Sequence, residues 1–220
     1  MKNIALDKFI ILFGLFIIGS IIGFAHENIF TMLKGEVILR QGLIYGPFIP
    51  VYGVGLLLFY SVYSHVNLDK YSKAAELAII FVIGFIMGGF TEYLFSYLQE
   101  LFMGTKSWDY SDVMFNIHGR TSLFHSAAWG LMSVLFYEMI LPIIKKTEKF
   151  IDNKKVKVFI IFLSIFMFFD CTISTLACLR QTERRNNIEA KNKLDIFLDK
   201  YYPDDLLNKI YSNAEVIKNR

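Results

Sequence analysis

The chain has 220 residues, 55% of them hydrophobic and only 20% charged, and its mean hydropathy is +0.44. An ordinary soluble domain of this length is excluded, because the apolar residues come in blocks long enough to cross a bilayer. The formal charge of +3 says little about partners: six lysines cluster at Lys145–Lys157 and nine Lys or Arg follow from Arg180 onward. Clusters of this kind beside apolar blocks mark sidedness, and no basic stripe with interleaved stacking aromatics argues for nucleic acid.

Five apolar blocks reach spanning length: Phe9–Ala25, Pro47–Tyr63, Ala74–Leu94, Leu123–Ile144 and Val156–Leu179. The expected fold is all-α, a multi-span transmembrane helical bundle of about five spans embedded in a lipid bilayer. The first block lacks a small-x-small cleavage site and runs on into His26 and Glu27, unlike a cleaved signal peptide.

Phe16–Leu33 (FIIGSIIGFAHENIFTML) and Phe81–Leu98 (FVIGFIMGGFTEYLFSYL) align without a gap. Gly19/Gly84, Gly23/Gly88 and Glu27/Glu92 fall in register at i, i+4 and i+8, on one helix face. Such glycines let helices approach closely in lipid, and a carboxylate at the end of the groove needs a partner. The pattern predicts an internal parallel repeat with halves at about 9–63 and 74–144, followed by a fifth span at 156–179. Glu27 and Glu92 should approach a shared cavity; alternatively each is a helix-end carboxylate neutralised by Arg40 or Arg120.

The second block opens on Gly42-Leu-Ile-Tyr-Gly46-Pro47-Phe-Ile-Pro50-Val-Tyr52-Gly53-Val-Gly55, poor material for a continuous helix. It reads either as an unwound segment lining a cavity or as a simple helix start with proline in its first turn. The fourth begins Ser122-Leu-Phe-His125-Ser126-Ala-Ala-Trp129-Gly130, whose Ser122, Ser126 and Gly130 make a close-packing face.

The connection Gly104–Arg120 is the least lipid-like stretch between blocks. Asp109 and Ser111 suit turns, and Trp108 and Tyr110 suit the membrane–water interface. Alternation of Asn116, His118 and Arg120 would point three polar side chains one way if the backbone were extended. In the fifth block Asp170 lies deep within FMFFDCTIST, where it is expected to pair with Arg120 or His125 of another segment. Cys171 and Cys178 are too far apart along one helix to bond to each other.

Lys2, Lys8 and the Lys145–Lys157 cluster favour a cytoplasmic N-terminus. Five spans then place Arg180, Arg184 and Arg185 outside, against the same rule. Residues 1–180 form the transmembrane domain, and 181–220 a polar tail with a short amphipathic helix after Tyr201-Tyr202-Pro203. No HExxH spacing or Walker A motif occurs, so no metal, nucleotide or other cofactor is expected, and no catalytic residue is assigned.

YGPFIPVYGVG, TEYL, WDYSDVMFNIHGR and SAAWG, within Phe9–Arg180, resemble the bacterial membrane family described as putative ABC-transporter type IV, or CmpB-like. Where that family usually reads Asn-Arg-Gly before the first motif, this chain has Arg40-Gln41-Gly42, with the arginine displaced by one; Arg120 follows the pattern. The resemblance implies a permease in the bacterial plasma membrane, assembled as a homo-oligomer or with other membrane subunits, with any ATPase as a separate chain. Glu27, Arg40, Tyr52, Glu92, Trp108, Asp109, Asn116, His118, Arg120, His125 and Asp170 are the candidates for binding or gating a small solute. An intramembrane enzyme acting on a lipid or lipid-linked substrate, and a non-catalytic membrane scaffold, are the alternatives.

Overall fold

Long apolar runs with few helix breakers form long helices in which every backbone polar group is satisfied within the segment. A computed structural model of the protein describes residues 4–33, 35, 42–147 and 153–217. Among these, four helices are long and apolar enough to cross a membrane: Ala5–Leu33, Lys73–Met103, Leu123–Lys146 and Lys154–Arg185. In chain order the elements are α1 (Ile4–Leu33), α2 (Pro50–Tyr63), α3 (Lys73–Met103), β1 (Thr105–Lys106), β2 (Asn116–Ile117), β3 (Thr121–Ser122), α4 (Leu123–Leu135), α5 (Leu141–Thr147), α6 (Lys154–Arg185), α7 (Lys193–Tyr201), α8 (Asp204–Ile210) and β4 (Glu215–Val216). Ile18, Ile22, Val82, Ile86, Phe162 and Phe169 stand exposed on the long helices, as side chains facing lipid do.

The second expected block, Pro47–Tyr63, becomes helical only from Pro50. Residues 42–49 are irregular, and α2 holds only 14 residues, about 21 Å of helix. Gly42 and Gly46 take positive φ angles of 101° and 84°, which glycine tolerates and larger residues resist; Pro50 then starts α2 where its missing N–H is harmless. Protein groups receive the freed backbone donors: Leu43 N–H reaches Phe48 O (2.9 Å) and Ile49 N–H reaches Ser20 O (3.0 Å). Ile44 N–H donates to Ser174 Oγ (2.9 Å) and Tyr45 N–H to Asp170 Oδ1 (3.0 Å). The expected pairing of Asp170 with Arg120 or His125 is therefore corrected. Its carboxylate accepts from unwound backbone, while Arg120 pairs with Glu100 and His125 meets Ser122.

Two antiparallel helix pairs dominate the packing, α1 with α2 and α3 with α4. Gly19 lies so near α2 that a Cβ there would stand 2.9 Å from Tyr52 O and 3.0 Å from Gly53 Cα. In the other pair Gly84, Gly88 and Gly89 face Ser133, Trp129 and Ser126. Small residues thus replace bulk at both seams, as in close-packed membrane helices. Helix α6 lies along α1: Lys157 pairs with Asp7 at one end, and Met167 packs with Ile17, Leu43 and Phe48 further along. Between α4 and α5 a wide turn at Phe136–Ile140 lets Leu141 N–H reach Phe136 O; Pro142 follows at once and has no N–H for a regular turn.

The Gly104–Ser122 connection, the unwound segment and the tail all meet at one end of the bundle. The tail forms two short helices rather than the single one expected. Leu198 of α7 and Tyr202 just after it, with Leu207 and Ile210 of α8, pack on Ile44 and Ala177, and β4 pairs antiparallel with β1. Arg180 and Arg184, out of place by charge rule alone, are neutralised there. Arg180 binds Asp199 with two bonds of 2.9 Å and Glu183 at 2.7 Å; Arg184 binds Asp199 and Asp204, each at 2.6 Å.

Candidate polar site between the helix pairs

The glycine notches determine where the polar groups fall. A methyl at Gly23 would collide with the ring of Tyr52, and one at Gly88 with the stem of Trp129. Each aromatic residue therefore sinks into the facing helix, and the two rings stack with centroids 5.5 Å apart. Tyr52 Oη, carried one turn along α1, donates to Glu27 Oε1 (2.5 Å) and lies 3.1 Å from His26 Nδ1.

Glu92 sits at the corresponding position of α3 and is buried. Thr121 Oγ1 donates to its Oε2 (2.7 Å) and Tyr110 Oη to its Oε1 (3.1 Å). Burial, and then the charge of Glu92, raise the Tyr110 phenol above its ordinary value. Tyr110 therefore keeps its proton near neutrality and remains a donor. Its ring stacks on His125 at 3.6 Å, and His125 Nδ1 lies 2.8 Å from Ser122 Oγ. Glu27 and Glu92 each lie one turn beyond the glycine that admits the facing ring, Gly23 and Gly88.

The connection Gly104–Ser122 is the scaffold that aims Tyr110. Asn116 Nδ2 donates to Ser111 O (3.0 Å) and Val113 O (2.9 Å), while its Oδ1 accepts from Gly119 N–H (3.0 Å). Tyr110 N–H closes the loop on Gly119 O (2.8 Å). Asp109 Oδ1 accepts from Ser111 N–H (2.9 Å); its ion pair with Lys106, and then the Ser111 bonds, hold it down at about 2.

Asn116, His118 and Arg120 do not point one way. Phe115, His118 and Gly119 take φ angles of 56°, 55° and 68°, and this curls the backbone the alternation would have left extended. His118 Nδ1 meets Tyr93 Oη at 2.9 Å. Arg120 pairs with Glu100 rather than with Glu27 or Glu92, its guanidinium 5.4 Å from the ring centres of both Tyr93 and Tyr97. Trp108 Nε1 donates to Arg120 O (2.9 Å), fixing the loop rather than facing the carboxylates.

Of the eleven candidates, the structure brings Glu27, Tyr52, Glu92 and His125 together. Trp108, Asp109 and Asn116 build the loop, His118 and Arg120 form a flanking cluster, and Asp170 supports the unwound segment. Arg40 lies outside the described residues. Tyr110, Thr121 and Trp129 complete the site, although none of the three is among the candidates. The aromatic–Gly pair at Tyr52-Gly53 and Trp129-Gly130 is the sequence signal for Trp129; nothing local distinguishes Tyr110 from an interfacial tyrosine. Among the described residues no group of His, Cys, Asp and Glu is arranged to hold a metal ion.

Comparison with known proteins gives no match to a curated protein and none to a solved structure. A model of one family covers residues 14–175, so the unwound segment, both carboxylates and the loop that carries Tyr110 all lie within it. The chain belongs to the family described as putative ABC-transporter type IV.

Proposed function

We propose that the chain is a permease-type subunit that binds or passes a small polar solute through the cleft between two pseudo-symmetric helix pairs. The observation that carries this reading is the placement of Glu27 and Glu92 at equivalent positions, one turn beyond Gly23 and Gly88 of the two seams. Each is held by a tyrosine hydroxyl at the junction of two pairs with glycine seams. Halves at 9–63 and 74–144, running in the same sense, fit a parallel repeat with its site at the repeat interface. The carboxylates, hydroxyls and aromatic faces gathered there suit a small polar solute with several hydrogen-bond donors.

The chain acts in a bacterial plasma membrane with its N-terminus cytoplasmic, as a homo-oligomer or with other membrane subunits. ATP hydrolysis comes from a separate chain. No chemical step is assigned to this one: Ser122 is fully buried and accepts the N–H of His125 (3.3 Å), the bonding of a helix N-cap rather than of a nucleophile.

The test asks whether the cleft is open to water. In a Cys171→Ala, Cys178→Ala background, Thr121→Cys should react in membranes with small hydrophilic methanethiosulfonates, the cationic reagent faster than the neutral one by about threefold or more. Glu92→Gln should reduce that preference. A thiol that stays inert in a folded protein would refute the cleft and leave a sealed polar layer that only holds helices together.

A further inference from the structure

The Gly104–Ser122 connection carries an apolar tip that the polar site does not use. Met114 is 75% exposed, Phe115 68% and Ile117 54%. Folding of the loop turns them outward: Asn116 gathers the backbone of residues 111–119 inside, and the positive φ of Phe115 throws its side chain away from that centre. Left in water, three neighbouring large apolar side chains would form an unfavourable patch.

The tip joins surfaces that already face lipid on two sides. Leu123 N–H bonds to Phe115 O (3.2 Å), which sets Phe115 beside Leu123 and Phe124, 53% and 72% exposed at the start of α4. On the other side Ile117 precedes His118, whose ring bonds to Tyr93 on α3, next to exposed Phe90, Leu94 and Tyr97. Tyr93, Tyr97, Arg120 and Trp108, amphipathic residues typical of the headgroup level, surround the junction.

We propose that Val113–Ile117, with Leu123 and Phe124, is a wedge inserted into the acyl region of the bilayer, so that the loop carrying Tyr110 is anchored in lipid. The partner is the lipid itself, because the apolar tip lies beside the exposed apolar start of α4 and close to the exposed apolar residues of α3. Anchoring the tip fixes the loop that presents Tyr110 to Glu92, and leaves the exposed Asp112 in water.

This inference rests on the reading of the long helices as membrane spans, and one experiment separates the two. Nitroxide labels are placed singly at Met114→Cys, Asp112→Cys and Phe162→Cys in a Cys171→Ala, Cys178→Ala background, in phosphatidylcholine vesicles. Collisions with oxygen, which partitions into lipid, are compared with those of a water-soluble nickel complex. The expected result is oxygen-dominated relaxation at 114 and 162 and nickel-dominated relaxation at 112. A nickel-dominated label at 114 with a lipid-exposed label at 162 overturns the wedge and leaves the spans standing. Shielding from both reagents at 114 also overturns it, since protein, such as a second copy of the chain, would then cover the tip. A water-exposed label at 162 overturns the membrane reading itself.

Discussion

Glycines decide how closely each helix pair can meet. At Gly88 a new methyl would press on the Cβ and Cγ of Trp129, the rigid root of a large side chain rather than its movable end. Relief would require α4 to move away from α3, carrying Thr121 from Glu92 and Trp129 from Tyr52. Gly88→Ala is therefore expected to lower stability by about 1–3 kcal/mol, the usual range for overpacking a filled core. Gly14→Ala is the control, because its methyl would meet nothing closer than Ile160 Cδ1 at 3.9 Å. Thermal unfolding of the detergent-purified proteins should show a lowered midpoint for the first and an unchanged or slightly raised one for the second. Equal midpoints would mean that the seam yields and the notch does not position Trp129.

Among the elements, those whose cause lies in neighbouring residues are legible in the sequence itself. Long apolar runs read directly as α1, α3, α4 and α6, and Gly42, Gly46, Pro47 and Pro50 mark where the second block breaks. Glu27 and Glu92 stand out because the glycines before them repeat at the same spacing. The partners of Asp170 and Arg120 are not legible, since each bonds to a segment brought near only by folding. The tail departs from the single expected helix for the same reason. Its helices are held by Asp199, which binds Arg180 and Arg184 together, and no local pattern announces that pairing. Asp199→Asn should loosen the tail while leaving the bundle intact. Arg180 is 3% exposed and keeps Glu183, so the loss should be about 1–2 kcal/mol, below that of a wholly buried pair. Near 1.4 kcal/mol that is tenfold in an equilibrium constant, so limited trypsin digestion should cleave at Lys191 or Lys193 about ten times faster. Unchanged digestion would show that the apolar contacts of Leu198 and Leu207 hold the tail unaided.

For the whole molecule, the contacts between distant segments determine sidedness more firmly than charge counting does. Thr182 Oγ1 donates to Met103 O (2.7 Å), Asn213 Nδ2 to Ser107 O (3.1 Å), and Ile217 N–H to Gly104 O (3.0 Å). The tail and the third connection must therefore share one face of the membrane. The Ser64–Lys73 connection lies at the other end, where Lys73 joins Glu76 and Glu138. Lys145, Lys146, Lys154 and Lys155 gather at that second end, whereas Arg180 and Arg184 at the first are matched by carboxylates; the proposed cytoplasmic N-terminus puts that lysine cluster on the side where the positive-inside rule expects it. Single cysteines at Asp112 and Ile196 should accordingly label with a membrane-impermeant reagent in intact cells, and one at Asp69 only after lysis. Reversal of all three would invert the orientation yet preserve the architecture. Separation of Asp112 from Ile196 would break it, because no fold with β4 paired to β1 can put those two residues on opposite faces.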